Sequence, residues 1–305
     1  EEYQMEKSGQ ILEIQDNLFY LDTYAHDMSG AIGILIFRSR GESLVFDSGM
    51  PNSVNKILKT VEKLGVEADS VKHILLTHRH IDHAGGAAFL LEAFPKASVG
   101  THPFSTGALS NPSKIYDGGR ELFGEYATPM KPIQDSKMKT LNNLEEIYVG
   151  QETVQAIYTP GHTSDHIAYY IRSSRILYCG DVVGSFNSVR GGIYPTCMYP
   201  SFNYEKYKAT MTHIREMNLE GLIFPHFGYV LGRRNVRDLL EKSLSAHMRL
   251  ERICRESVSR MDSGKLLNEL KAALTEATEI FPGPVREKAA ELMARGFIEG
   301  FACGG

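Results

Sequence analysis

The sequence has few cysteines, no long apolar run and no cluster of basic residues, and the first two of these absences bear on where the protein works. Its four cysteines are widely and irregularly spaced, with no CxxC pair, at positions Cys179, Cys197, Cys254 and Cys303. This spacing predicts free thiols in a reducing, cytoplasmic compartment rather than a disulfide framework. The longest apolar runs, such as residues 31–37, are strand-sized and fall far short of the ~20 residues of a membrane helix, so no membrane partner is expected. Tryptophan is also absent, which excludes nothing.

The charge of the sequence does not indicate binding to nucleic acid. There are 33 basic and 37 acidic residues, and the formal net charge is −4. Because a nucleic-acid-binding surface needs concentrated Lys and Arg, a small-molecule substrate is the better expectation. The 305 residues, 42% of them hydrophobic, suffice for one large globular domain and an appendage.

Residues 76–86 contain the densest group of chemically active side chains, three imidazoles and a carboxylate within six positions. They follow an apolar, β-rich run at 71–76 and precede a predicted helix at 84–94, which places them on a strand-to-helix loop. In an extended segment residues i and i+2 point the same way, so His78 and His80 can converge on one cation. The adjacent Asp82 and His83 diverge from that pair and could serve a second one.

Three further candidate ligands each follow an apolar strand, namely His162, Asp181 and His226. Ends of neighbouring strands meet at one edge of an open α/β sheet, so these side chains are expected to join the first group. An accidental histidine-rich surface loop or a helix cap would not explain this recurrence. Imidazoles and carboxylates together suit zinc first, with iron or manganese as alternatives.

This series resembles the metallo-β-lactamase superfamily, whose HxHxDH motif is matched by His78, His80, Asp82 and His83. The resemblance implies two divalent ions: one held by His78, His80 and His162, and the other by Asp82, His83 and His226. It further implies that Asp181 bridges the ions and that Asp82 orients the nucleophile. Asp47 and His166 are implied to support the ligands from behind, although Asp47 could also be only a helix-entry turn residue.

The resemblance implies an α+β fold, a four-layer αβ/βα sandwich with a C-terminal helical appendage. Residues 1–235 are predicted to form the catalytic domain, and 236–305 the helical region, which could form a homodimer or cover the pocket. The 79 residues between His83 and His162 imply an insertion at about 98–146. Its aromatic residues predict either a lid over the site or simple packing on the scaffold.

The implied activity is that of a dinuclear metal-dependent hydrolase using a metal-bridging hydroxide, and an ester or thioester is the substrate expected first. Phosphodiester, phosphotriester and lactone hydrolysis are the alternatives within this class. Asp181 stands where true β-lactamases of the fold usually carry Cys or Ser, which disfavours antibiotic hydrolysis. A mononuclear iron persulfide dioxygenase and a non-catalytic ligand sensor are alternatives from other classes.

Four residues are predicted to contact the substrate: Phe186, Tyr194, Tyr199 and Arg233. The three aromatic residues lie in or just after a Gly- and Pro-rich stretch that leaves Asp181, so they are candidate pocket walls. Arg233 stands at a helix start, where a cation opposes the helix dipole and could instead bind an anionic substrate group. A plain surface loop and a solvated arginine are the competing interpretations. His26, in contrast, is predicted to be an ordinary loop residue.

Overall fold

Two mixed β-sheets form the centre of the protein in the computed structural model, which describes residues 11–187, 192–226, 228–258 and 263–302. Strands are numbered in chain order. The first sheet has the spatial order β1 to β7: β1 (Ile11–Gln15), β2 (Leu18–Asp22), β3 (Gly33–Ser39), β4 (Glu42–Phe46), β5 (Val71–Leu75), β6 (Ser98–Thr101) and β7 (Met138–Thr140). Its first four strands are antiparallel and β4 to β7 are parallel.

The second sheet has the spatial order β15-β14-β11-β10-β9-β8. Its strands are β8 (Glu146–Val149), β9 (Glu152–Tyr158), β10 (Ile167–Ile171), β11 (Ile176–Tyr178), β14 (Gly221–Phe224) and β15 (Gly228–Leu231). Only the pair β11 and β14 is parallel. A separate two-stranded ribbon consists of β12 (Ser185–Asn187) and β13 (Gly192–Tyr194). Residues 146–181 form four strands, because a tight turn at Gly150 (φ 57°) divides 146–158 into β8 and β9.

Nine α-helices flank the sheets in the described part of the chain. They are α1 (Val54–Lys63), α2 (Ile81–Ala84), α3 (Ala87–Ala93), α4 (Thr106–Ser110), α5 (Ser113–Phe123), α6 (Tyr204–Glu216), α7 (Arg233–Val258), α8 (Ser263–Ala273) and α9 (Arg286–Ala302). The helix predicted over 84–94 is broken at Gly85 and Gly86. A Cβ on Gly86 would lie 2.3 Å from the carbonyl oxygen of Ser48, so only glycine permits this approach.

Successive side chains of a strand point to opposite faces of its sheet, so each sheet packs against a different layer on each face. In β3, Leu35 and Phe37 face the second sheet, while Ile34 and Ile36 face the outer helices, as the two-residue period requires. One core fills the space between the sheets, one lies beneath α1 and α3, and one lies between the second sheet and α6, α7 and α9. The four-layer α/β/β/α sandwich predicted from the sequence is therefore confirmed.

The C-terminal helices share a core with the second sheet. Leu239 of α7 and Phe297 of α9 belong to the same buried cluster as Leu222 and Phe224 of β14. No helix in the described residues is long and apolar enough to cross a membrane. Cys179, Cys197 and Cys254 are buried free thiols, and Cys303 lies outside the described residues. Dimerisation through these helices stays a prediction.

Candidate metal centre

The proposed ligands lie where strands of both sheets end. His78 and His80 follow β5, with Asp82 and His83 on the short helix α2 immediately after them. The remaining three follow strands β9, β11 and β14 of the second sheet, and are His162, Asp181 and His226. Although distant in sequence, all seven side chains meet in one place, forming three overlapping groups whose ligand atoms lie within 4.8 Å of one another.

The first group consists of imidazoles. The Nε2 atom of His78 is 2.9 Å from Nδ1 of His80, and Nε2 of His162 is 3.1 Å from the same Nδ1. Burial, reinforced by the neighbouring imidazoles, lowers the pKa of His78 well below its ordinary value. The pKa of His80 falls to about 4 for the same reason. Both rings are consequently neutral at physiological pH, the form in which imidazole binds a metal ion.

The second group combines one carboxylate with two imidazoles, those of Asp82, His83 and His226. Oδ2 of Asp82 lies 3.6 Å from Nε2 of both His83 and His226. Asp181 spans the two groups, since its Oδ1 is 3.5 Å from both of those Nε2 atoms and its Oδ2 is 3.6 Å from Nε2 of His162. One carboxylate thus faces both clusters of donors, which is the arrangement expected of a bridging ligand.

Charge is unbalanced in this cluster. Burial opposes protonation of His83, but Asp82, Asp181 and Asp47 outweigh it and raise its pKa to about 10. Burial also opposes ionisation of Asp181, yet the surrounding imidazoles, led by His83, hold its pKa below the usual range. The Asp181 carboxylate therefore stays ionised and attracts a positive charge, which the protein itself supplies by protonating His83.

The donor set fits a pair of divalent ions. Nε2 of His83 and Oδ1 of Asp181 are fully buried and have no hydrogen-bond partner in the described structure. Buried polar atoms are normally paired, so two such atoms 3.5 Å apart indicate that a bound cation completes the site. Imidazole nitrogen and carboxylate oxygen are ligands that zinc, iron and manganese accept.

Asp47 holds the cluster from behind. It follows β4 in a left-handed conformation (φ 57°), and its Oδ2 accepts hydrogen bonds from Nδ1 of His83 at 2.9 Å and from the Tyr178 hydroxyl at 3.0 Å. Its Oδ1 accepts the backbone N–H of Thr77 at 2.7 Å. Because Nδ1 of His83 is held by Asp47, Nε2 is the nitrogen that faces the centre, and a bound cation would take the place of the Nε2 proton. The structure places Asp47 directly behind His83; its support of a metal ligand stays a prediction.

Backbone carbonyls orient two other imidazoles in the same way. Nδ1 of His162 donates to the carbonyl oxygen of Thr196, and Nδ1 of His226 donates to that of Ala31. His226 keeps this position even though its local sequence, Pro225-His226-Phe227-Gly228, departs from the Pro-Gly-His-Gly turn usual in the family. In each case the Nε2 atom faces the cluster.

His166 is engaged differently. Its Nδ1 is 2.7 Å from the hydroxyl of Thr159, and its Nε2 accepts the backbone N–H of Asp181 at 3.0 Å. Both ring nitrogens are occupied, so this histidine positions the Asp181 loop and has no lone pair left for an ion. The ring also requires Gly180, where a Cβ would lie 2.5 Å from Nε2.

A cavity of about 610 Å³ opens onto the cluster. His80, Asp82, His162, Asp181 and His226 form one end of it. The other walls are mainly apolar and come from α5, from the loop before α6 and from the C-terminal region, with Ile115, Leu122, Phe123, Met198, Tyr199, Phe281, Leu292 and Met293. The predicted insertion therefore provides one wall through α5; whether it opens as a lid stays a prediction.

The structure places the four residues predicted to contact the substrate in different parts of the molecule. Only Tyr199 lines this cavity. Phe186 is buried and stacks on Phe224 at 5.4 Å, and Tyr194 pairs with Ser185 across the ribbon, so neither is among the residues lining the cavity. Arg233 lines a separate groove of about 600 Å³ between α6 and α7, and its Nη2 is 2.6 Å from Glu220. That groove contains none of the seven ligand candidates.

Two residues near the centre were missed by sequence reasoning. His26 is buried, and its ring stacks on Phe123 at 4.9 Å and meets Tyr126 edge-on at 5.2 Å, so it is more than a plain loop residue. Asp165 is fully buried beside the first ligand group. Its place between His162 and His166 was an available signal. No local pattern marked His26.

Comparison with known proteins gives the family. Residues 33–226 match the family described as the metallo-beta-lactamase superfamily, and the chain belongs to it. Its relatives include a hydroxyacylglutathione hydrolase of Buchnera aphidicola, 26% identical over 50% of this chain and 46% of that protein. A probable hydroxyacylglutathione hydrolase of Schizosaccharomyces pombe is 31% identical over 46% of this chain and 43% of that protein. The matches thus span less than half the length of these two relatives.

Solved structures show the same fold along most of the chain. The archaeal metallo-beta-lactamase superfamily protein ST1585 of Sulfolobus tokodaii superposes with a TM-score of 0.69 at 20% identity, covering 93% of this chain and 98% of that one. A B3 metallo-beta-lactamase with an active-site glutamic acid gives a TM-score of 0.57 at 18% identity, covering 75% and 85% of the respective chains. At these identities the likeness concerns the fold alone.

Proposed function

We propose that this protein is a dinuclear metal-dependent hydrolase of ester or thioester bonds, with zinc as the first candidate metal and iron or manganese as alternatives. The single observation that carries the proposal is the position of Asp181, whose two carboxylate oxygens face the two donor groups separately. A mononuclear centre would need only the first group. Here the second group is complete, with Asp82, His83 and His226 converging as well.

Two divalent ions bound here would lower the pKa of a water molecule towards neutrality and polarise the bond to be cleaved. The residues of the chain supply the rest. Asp82 is 8% exposed and lines the cavity, so its carboxylate can orient the attacking water and accept its proton. Asp47 keeps His83 in the tautomer that presents Nε2, and the Thr196 carbonyl does the same for His162. No serine or cysteine nucleophile is required.

The cavity favours a substrate with an apolar acyl group. The walls facing the ligand cluster are built from aliphatic, methionine and aromatic side chains, which bind hydrocarbon by excluding water from it. Two relatives are named as hydroxyacylglutathione hydrolases, enzymes of thioester hydrolysis, which supports this bond type over phosphoesters. We therefore place compact apolar acyl thioesters and esters first among the substrates to be tried.

The test combines metal analysis with a substrate panel. We expect close to two metal equivalents per chain, and turnover of acyl thioesters or esters above that of lactones, phosphodiesters and phosphotriesters. His80→Ala and Asp82→Ala should abolish hydrolysis. His213→Ala, an exposed histidine on α6, is the matched control and should leave it unchanged.

Other outcomes would replace the proposal. A single iron with oxygen uptake on a persulfide would identify a dioxygenase. Two intact metal equivalents without turnover on any member of the panel would identify a ligand sensor.

A further inference from the structure

Two cationic side chains line the otherwise apolar cavity, and the mechanism proposed above uses neither. They are Arg79, between the ligands His78 and His80, and Lys114 on α5. Apart from the ligand carboxylates, Glu121 is the acidic residue on the cavity wall, and it is 2.9 Å from Nζ of Lys288. The charge of Glu121 is therefore compensated by Lys288, and not by Arg79 or Lys114. The wall beside the metal centre thus carries two cationic side chains that an anionic group of a substrate could contact.

Arg79 is held at its backbone, and its side chain faces a buried carboxylate. Its backbone N–H donates to Oδ2 of Asp165 at 3.1 Å, and its Nη1 lies 3.8 Å from Oδ1 of the same carboxylate. Asp165 is itself held by the Ser105 hydroxyl at 2.6 Å. Burial opposes ionisation of Asp165, but Arg79 and Ser105 outweigh it and lower its pKa, so a buried carboxylate stands behind the guanidinium. Asp165 is a positioning residue for Arg79.

The guanidinium of Arg79 still has donors to offer. A guanidinium carries five N–H donors. Within the described residues, the side chain of Arg79 makes one long hydrogen bond, 3.5 Å from Nη1 to the carbonyl oxygen of Phe104. Its side chain is 31% exposed. Lys114 is exposed and has no ion pair in the same part of the structure.

We propose that Arg79, assisted by Lys114, forms an anion subsite that binds a carboxylate or phosphate group of the substrate outside the scissile bond. The inference rests on the proposed hydrolase function and refines its substrate class to apolar acyl compounds that also carry an anionic group. A planar guanidinium binds either anion through paired hydrogen bonds, and the low-polarity cavity strengthens that attraction. The anion can belong to the acyl part or to the leaving group.

Three thioesters distinguish these two sources. S-butyryl-N-acetylcysteamine is neutral, S-glutaryl-N-acetylcysteamine has a carboxylate on the acyl group, and S-butyryl-coenzyme A has phosphates on the leaving group. In Arg79→Gln we expect kcat/KM for the preferred anionic thioester to fall about tenfold more than for the neutral one, as the loss of a charged hydrogen bond implies. Lys114→Gln should produce a smaller loss of the same kind, and added salt should weaken the preference.

Two controls separate this role from simple bracing of the metal loop. Arg79→Lys keeps the charge and should restore part of the preference, whereas Arg120→Gln, an exposed cation on α5 that does not line the cavity, should change nothing. Metal content is measured for each variant. Equal losses on neutral and anionic thioesters in both Arg79→Gln and Lys114→Gln would overturn the subsite.

A binding measurement keeps the inference separate from the hydrolase proposal. Thioether analogues of the three compounds, S-butyl-N-acetylcysteamine, S-(4-carboxybutyl)-N-acetylcysteamine and S-butyl-coenzyme A, are not hydrolysed, so calorimetry reports their dissociation constants directly. Tighter binding of an anionic analogue by the wild-type protein, lost in Arg79→Gln, supports the subsite even if no thioester is cleaved. Equal affinity for all three rejects the subsite even if thioesters are cleaved.

Discussion

The metal centre and the apolar wall opposite it border the same cavity but are built in opposite ways. At the centre, specific hydrogen bonds orient the imidazoles of His83, His162 and His226. At the wall, side chains such as Leu122, Tyr199 and Leu292 come from separate helices and loops and contribute mainly apolar surface. The comparison teaches that the centre depends on specific polar geometry, whereas most of the wall contributes only shape and apolar surface.

The largest effect is expected at the carboxylate shared by both donor groups. Asp181→Ala removes ligand atoms that face His83, His226 and His162, so metal content should fall by at least one equivalent. The value of kcat/KM should fall roughly a thousandfold, because both nucleophile generation and charge stabilisation suffer. Metal analysis and steady-state kinetics measure the two effects. Asp238→Ala, 61% exposed on α7, is the control; full activity in Asp181→Ala would refute its bridging position.

A smaller but clear effect is expected behind the ligands. Asp47→Asn leaves the backbone intact but weakens the hold on Nδ1 of His83, so metal affinity should fall about 10- to 100-fold. Competition with a chelator measures it. Tyr178→Phe removes only the 3.0 Å hydroxyl contact with Asp47 and should weaken binding less. Unchanged affinity in Asp47→Asn would show that the centre does not depend on this support.

A buried histidine behind the wall should make the stability of the C-terminal helices depend on pH. His247 of α7 is buried against Tyr207, and burial lowers its pKa to about 4 from an ordinary 6.5. The unfolded chain binds the proton more readily between these values, so stability falls as pH drops from 6.5 towards 4. From pH 7 to 5 this costs about 2 kcal/mol. The free energy of unfolding of metal-loaded His247→Phe, measured with denaturant, should depend less steeply on pH than that of the wild type. An identical pH dependence in the two proteins would show that His247 does not cause it.

Substitution in the wall should change substrate binding and leave the metals in place. Tyr199 is 37% exposed and lines the cavity, so Tyr199→Ala removes contact surface without opening the core. We expect kcat/KM for an apolar thioester to fall about tenfold, the value of one partly buried aromatic ring. Tyr148→Ala, which is 66% exposed on β8, is the matched control. Loss of metal in Tyr199→Ala would mean that metal binding at the centre depends on the wall.

The smallest effect is expected at Arg233. The sequence suggested a substrate contact, but the structure pairs this residue with Glu220 at the separate groove between α6 and α7. Arg233→Ala should therefore alter kcat/KM less than about twofold, since exposed ion pairs contribute little. Kinetics with both neutral and anionic thioesters provide the check. A selective loss on anionic compounds would return Arg233 to the substrate site.

The difference between centre and wall also explains which side chains the sequence could bring together. His78 and His80 stand two apart after an apolar run, and His162, Asp181 and His226 each follow another, so strand periodicity and motif spacing sufficed to bring them to one edge. Phe186 and Tyr194 carried no such marker. Aromatic content indicates burial but cannot tell whether a ring faces a cavity or packs on a neighbour such as Phe224.

The sequence by itself determined the donor chemistry of the centre and the strands that carry it, because residue identity and periodicity are local properties of the chain. Only the tertiary structure decided which nitrogen of each imidazole faces inwards, that Arg79 is braced by Asp165, and that α5 and α9 close the cavity. These features depend on contacts between segments as distant as residues 79 and 165, or 123 and 281. Such contacts follow from long-range packing, for which no short sequence pattern exists.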